Sequence, residues 1–171
     1  ERALAYEHSP YDTTILMDCD YFVFSSTLLE LSKTKFDVLL HDKVNDLTGQ
    51  EMILGNDEST LPLVWATVTL FRKSRNTKVI FDLIKHIQEY YPHYKNLYRI
   101  KFSNYRNDYA FAIALHQLNL GNTITTPMGM LADAVDVIES DSDGIVFKYK
   151  NNVNFTSGLD VHIMDKEWCN G

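Results

Sequence analysis

The chain has 171 residues, 45% of them hydrophobic and 23% charged, which is enough for one domain with a real core and excludes a disordered or collagenous polypeptide. Lys and Arg number 16 against 23 Asp and Glu, a formal charge of −7. With no basic run, that balance argues against a nucleic-acid or anionic-membrane partner. A bound divalent cation would still reverse the local sign and admit a phosphorylated ligand.

No apolar stretch reaches the ~20 residues that span a bilayer, so no transmembrane segment is expected. Cys19 and Cys169 make neither a disulfide framework nor a zinc spacing. The first residues carry no signal-peptide pattern, and the expectation is a cytoplasmic protein. The chain opens at Glu1-Arg2-Ala3-Leu4-Ala5-Tyr6 without an initiator Met, as if inside a helix, and a segment is expected upstream.

In chain order, residues 1–8 read as the end of a helix stopped by Ser9-Pro10. Thr13-Thr14-Ile15-Leu16-Met17 reads as a buried strand running into Asp18-Cys19-Asp20 and then Tyr21-Phe22-Val23-Phe24. Ser25 or Ser26 is expected to cap a short helix with Leu28, Leu29 and Leu31 facing the core. A second strand is read at Phe36–Leu40, and a loop or irregular hairpin with Gly49 and Gly55 over 41–61. The β-branched and aromatic run Leu63–Phe71 predicts a strand. An amphipathic helix follows over 75–91, with Val79, Ile80, Leu83, Ile84 and Ile87 on one face. Another helix is read over 107–119, then a strand at Ile145–Tyr149. Alternating strands and helices predict one α/β domain over residues 1–171.

The chemistry starts at Asp18 and Asp20. Chance alone supplies about one Asp-x-Asp in such a chain, but this pair stands at the end of a strand, where open α/β sheets gather functional groups. Two close carboxylates repel, and a divalent cation relieves that repulsion. Oxygen ligands favour Mg²⁺ or Mn²⁺ with positions left for phosphate oxygens. The tail adds His162 as a third ligand, Lys166 as a charge for a phosphate, and Trp168 as an aromatic wall.

Arg2, sixteen residues before Asp18, together with Asp18-Cys19-Asp20 and His162…Lys166-x-Trp168, resembles the GT-A-fold glycosyltransferases, and family eight (glycogenin- and galactinol-synthase-like) most closely. The strand around Trp65–Phe71 with its following helix, and Arg106-Asn107-Asp108-Tyr109 opening an apolar helix, are similar to further parts of that family. The chain departs from it in having three residues between His162 and Lys166 where the family usually has five.

The resemblance implies a GT-A-like mixed sheet flanked by helices that lacks the N-terminal nucleotide-binding strands, as the C-terminal part of a longer catalytic domain. It implies a metal-dependent transfer of a sugar from a nucleotide-diphosphate donor to an acceptor the sequence does not identify. Asp18, Asp20 and His162 would hold Mn²⁺ or Mg²⁺, Arg2 and Lys166 would meet the donor diphosphate, and Asp108 or Asn107 would position the reacting sugar or acceptor.

Two other readings stay open. An aspartyl-phosphate phosphatase would use Asp18 as nucleophile, with Asp141 and Asp143 as further acids, although Phe22 stands where that signature wants Thr or Val. A non-catalytic relative would keep the sheet for interaction only. Elsewhere, Tyr90-Tyr91-Pro92-His93-Tyr94 reads as packing, His86 and His116 as solvated, and Asn154-Phe155-Thr156 as a sequon without use outside secretion.

Overall fold

The computed structural model describes residues 2–47, 50–52, 61–120, 123–124, 128–131, 136–149 and 151–163. A 3₁₀ turn (Arg2–Leu4) leads into α1 (Ala5–His8), then β1 (Thr13–Met17), β2 (Tyr21–Phe22), α2 (Thr27–Ser32), β3 (Val38–His41), β4 (Val44–Asp46) and β5 (Trp65–Arg72). After α3 (Arg75–Glu89), α4 (Tyr91–Leu97) and α5 (Asn107–Gln117) come β6 (Thr123–Ile124), β7 (Met128–Leu131), β8 (Asp136–Ser140), β9 (Gly144–Tyr149), β10 (Asn152–Ser157) and β11 (Val161–Ile163).

These elements make a mixed α/β structure. The expected single sheet is replaced by three small ones. The first has strand order β1-β5-β3-β6, the second β2-β11-β7-β4, and the third is the antiparallel meander β10-β9-β8. In the first, β5 pairs antiparallel with β1 and β3, and β3 pairs parallel with β6. In the second, β11 lies antiparallel to β2 and parallel to β7.

Strand β5 is buried along nearly its whole length because both its faces are covered. Ala66 and Phe71 join the core formed with α3 and α5, whose members include Ile80, Phe81, Ile84, Phe111 and Ile113. Val68 and Leu70 join Leu28, Phe36 and Leu39 on the other side. Helix α5 is apolar all round and buried from Asp108 to Leu115, which fits a helix enclosed on every side rather than one lying on a surface.

Helix α3 starts at a conventional cap, with Ser74 Oγ accepting from the Thr77 amide at 3.1 Å. Its stripe is narrower than the sequence suggests. Ile80, Ile84 and Ile87 are buried, Leu83 is half-buried, and Val79 is exposed because it falls at the stripe's edge. Leu29 of α2 is likewise exposed while Leu28 is buried, since a six-residue helix turns only one narrow face inward. Ser26 precedes α2 without a side-chain capping bond.

The region read as a loop contains β4, and the helix read over 75–91 breaks at Tyr90, with Pro92 in the first turn of a separate α4. Tyr91 and Tyr94 of α4 are buried, in keeping with a packing role for that aromatic cluster. Gly49 and Gly55 lie outside the described residues.

Candidate metal centre

The site forms where β1 ends. The Asp18 amide continues the β1 ladder by donating to Thr67 O at 3.0 Å, and the Tyr21 amide closes a turn by donating to Asp18 O at 3.2 Å. That turn sends the chain from the first sheet into β2 of the second. There Tyr21 pairs with His162 of β11, and the Ile163 amide donates to Asp20 O at 2.9 Å. Asp160 fixes the approach of β11, its Oδ1 accepting from the amides of Phe24 (2.9 Å) and Ser25 (2.8 Å). Val161 and Ile163 point into an apolar cluster with Ile145 and Phe147, so the intervening His162 faces the opposite way.

The outcome is that Asp18, Asp20 and His162 offer ligand atoms that all lie within 4.8 Å of one another. His162 Nε2 stands 3.3 Å from Asp20 Oδ1, while its Nδ1 faces Thr67 Oγ1 at 3.5 Å. The environments of the two carboxylates differ: the Asp18 side chain is 43% exposed and that of Asp20 only 3%. Burial holds the His162 imidazole below its ordinary pKa; the Asp18 and Asp108 charges oppose this and the Arg2 charge reinforces it. A neutral imidazole beside two carboxylates is a donor set suited to Mn²⁺ or Mg²⁺, with Mn²⁺ favoured by the nitrogen ligand.

Beside this cluster opens a pocket of about 290 Å³, lined by Arg2, Asp18, His162, Asn107 and Asp108 together with Trp65, Ala66, Thr67, Tyr105 and Arg106. Five residues singled out from the sequence therefore line one cavity, and Asp20, outside the lining, stands next to His162. Lys166 and Trp168 lie outside the described residues.

An irregularity in β5 builds one wall. Leu40 of β3 pairs with Thr69, but the next residue, His41, pairs with Trp65. Ala66, Thr67 and Val68 thus face no residue of β3, and the backbone groups at Ala66 and Thr67 turn to other partners. Such bulges re-aim backbone and side chains next to functional sites. The Ala66 amide donates to Asp108 Oδ1 at 2.8 Å. The Arg2 guanidinium donates to Ala66 O, to Thr67 O at 3.2 Å, and to Asp18 Oδ1, with which it forms an ion pair. Arg2 is held there because the N-terminal segment is pinned: Ala3 is buried in the main core, and the Tyr6 hydroxyl donates to Ser74 O at 3.2 Å.

Asp108 is nearly buried and does not cap α5, whose first flanking residue is Arg106. It joins α5 to the bulge, and its Oδ2 accepts from Arg106 Nε at 3.1 Å. Asn107 Oδ1 accepts from the Tyr105 hydroxyl at 3.2 Å. Burial first, and then the Asp108 charge, push the Tyr105 phenol up to about 12. Trp65, Tyr105 and Arg106 were not among the expected site residues. For Arg106 a signal existed in its place directly before Asn107-Asp108. For Trp65 none did, because its position depends on the bulge.

Asp141 and Asp143 are not part of this pocket. Asp141 Oδ1 accepts from the amides of Asp143 (2.8 Å) and Gly144 (3.1 Å) and shapes the turn between β8 and β9. Cys19 is exposed in the turn between the two aspartates. His86 and His116 are exposed on their helices. Among the described residues no helix is long and apolar enough to cross a membrane. No family model, curated protein or solved structure matches this chain.

Proposed function

We propose that the chain is the catalytic part of a metal-dependent glycosyltransferase of GT-A type, akin to family eight, acting on a nucleotide-diphosphate sugar. The observation that carries this reading is the meeting of Asp18, Asp20 and His162 within 4.8 Å, beside a pocket that Asn107 and Asp108 enter from the opposite element. Asp18, Asp20 and His162 would hold Mn²⁺ or Mg²⁺, which when bound supplies charge stabilisation for the departing diphosphate.

The chain's own groups account for the rest. Arg2 and Arg106 bring positive charge to a pocket whose lining also carries the carboxylates of Asp18 and Asp108, and guanidinium groups suit phosphate oxygens through their planar fork. Preorganised donors of this kind stabilise charge that grows as the leaving group separates. Asp108, fixed by the Ala66 amide, and Asn107, fixed by Tyr105, present oxygens at set positions for hydroxyls of the sugar or acceptor. Trp65 and Tyr105 add aromatic rings to the pocket lining.

Calorimetric titration with nucleoside diphosphates, with and without Mn²⁺, tests the reading. Binding that needs Mn²⁺ and vanishes in Asp18→Asn is the expected result. Binding indifferent to the metal, or unchanged in that variant, would overturn it.

A further inference from the structure

We propose that Arg2 is an internal counter-ion for Asp18, which the metal must displace, so that Arg2 restrains metal affinity and is released toward the pocket when metal binds. The inference rests on the metal reading above and adds to it a competition within the site. Asp18 Oδ1 accepts from Arg2, and Asp18 is one of the three residues whose ligand atoms converge. One carboxylate therefore serves two cations in turn.

The surroundings show why this competition has consequences. Arg2 is largely buried, with a side chain 12% exposed, and neutralises Asp18 next to the second carboxylate, Asp20. Without it, the Asp18 carboxylate would carry an unopposed charge beside the buried Asp20 carboxylate at the strand end. A divalent ion seated on Asp18, Asp20 and His162 supplies that neutralisation itself. It also repels the guanidinium, because like charges a few ångströms apart in a partly buried site interact strongly.

Arg2 has somewhere to go. Its other bonds are to the carbonyls of Ala66 and Thr67 at the bulge, and all of these groups line the same pocket. Loss of the Asp18 contact leaves an N–H face of the fork directed to a cavity suited to anionic oxygens. Metal binding would in this way create an anion contact, and by reciprocity an anion bound to Arg2 would favour the metal.

The first test uses Mn²⁺ alone, titrated into the chain and followed by the loss of the free-ion electron paramagnetic resonance signal. Arg2→Gln should bind Mn²⁺ roughly tenfold more tightly than the unaltered chain, because a competitor and a repelling charge are gone. Arg2→Lys, which keeps the charge, should stay near the unaltered value. Asp20→Asn should lose binding in either background. Equal or weaker Mn²⁺ binding in a folded Arg2→Gln protein overturns the displacement. Binding that survives in Asp20→Asn instead overturns the metal site, so the two failures are distinguishable.

A second measurement needs no substitution. In the ¹⁵N-labelled chain the Arg2 Nε–Hε resonance should move as Mg²⁺ is added and saturate with it. An Arg2 signal unmoved at saturating Mg²⁺ would also overturn the proposal.

Discussion

Asp108 illustrates how much rests on single carboxylates in this molecule. Its Oδ1 is the acceptor for the Ala66 amide at a point where β5 has left the β3 ladder. A buried amide deprived of its acceptor costs roughly 1–3 kcal/mol. Asp108→Ala should therefore lower stability by about that amount in urea denaturation. Asp108→Asn, which keeps an acceptor oxygen and loses only the charge toward Arg106, should lose less. Equal losses in the two variants would show that the Ala66 contact does not matter. The two substitutions should separate further in function, since Asn keeps the tie to the bulge but no longer holds Arg106 by charge.

Residue types made much of the site legible. A carboxylate pair at a strand end, a late histidine and an acidic residue opening a helix are recognisable because few side chains suit that chemistry. The wall made by Trp65, Ala66 and Thr67 was not legible, because it depends on where β3 and β5 lose register. Register is a property of two segments and leaves no mark in either one. The misplaced Leu29 and Val79 have a similar origin: apolar character was read as burial, but burial follows from which side a neighbour occupies.

Among the elements, the β9–β10 hairpin depends most on one residue. A Cβ at Gly144 would come within 1.8 Å of Thr156 O, a backbone atom that cannot turn aside. Gly144 and Ser157 are partners in the ladder, so relief requires the hairpin itself to open. Gly144→Ala should destabilise the chain by about 2 kcal/mol or more, read as a fall in the thermal midpoint. An unchanged midpoint would mean that the strands pair differently in solution.

The start of α3 makes a pH-dependent contribution. The Ser74 hydroxyl and then the Asn76 amide donate to Asp37 and hold its carboxyl below the usual value. Because the folded form is the stronger acid, this contribution is complete above the unfolded pKa near 3.9 and disappears as pH falls through the lower folded value. Asp37→Asn should therefore reduce stability at pH 6 and make the acid loss below about pH 4 shallower. The group is only half-buried and remains partly screened by solvent, so the effect should be modest. Parallel acid profiles for the two proteins would contradict it.

Across the whole molecule, the candidate metal ligands come from two sheets. Asp18 follows β1 of the first, and His162 lies in β11 of the second. An ion held by both would resist separation of the sheets and bind only when they are together. Under the proposed reading, Mn²⁺ at a hundredfold excess over its dissociation constant should stabilise the fold by about 2.7 kcal/mol. Thermal unfolding with and without the ion measures this, and the gain should vanish in His162→Ala. A gain that persists in that variant would place the ion elsewhere.

The same separation along the chain sets an order in time. Synthesis delivers Arg2, Asp18 and Asp20 before His162, which follows Asp20 by about 140 residues. At the ribosomal pace of about 5–20 residues per second, the early carboxylates wait roughly 7 to 28 seconds for the imidazole. During that interval Arg2 can already pair with Asp18, as it does in the complete chain. Under the proposed reading the ion would be a finishing piece, not a template: a ribosome-bound chain stalled before His162 should fold its earlier segments equally well in the presence of a chelator.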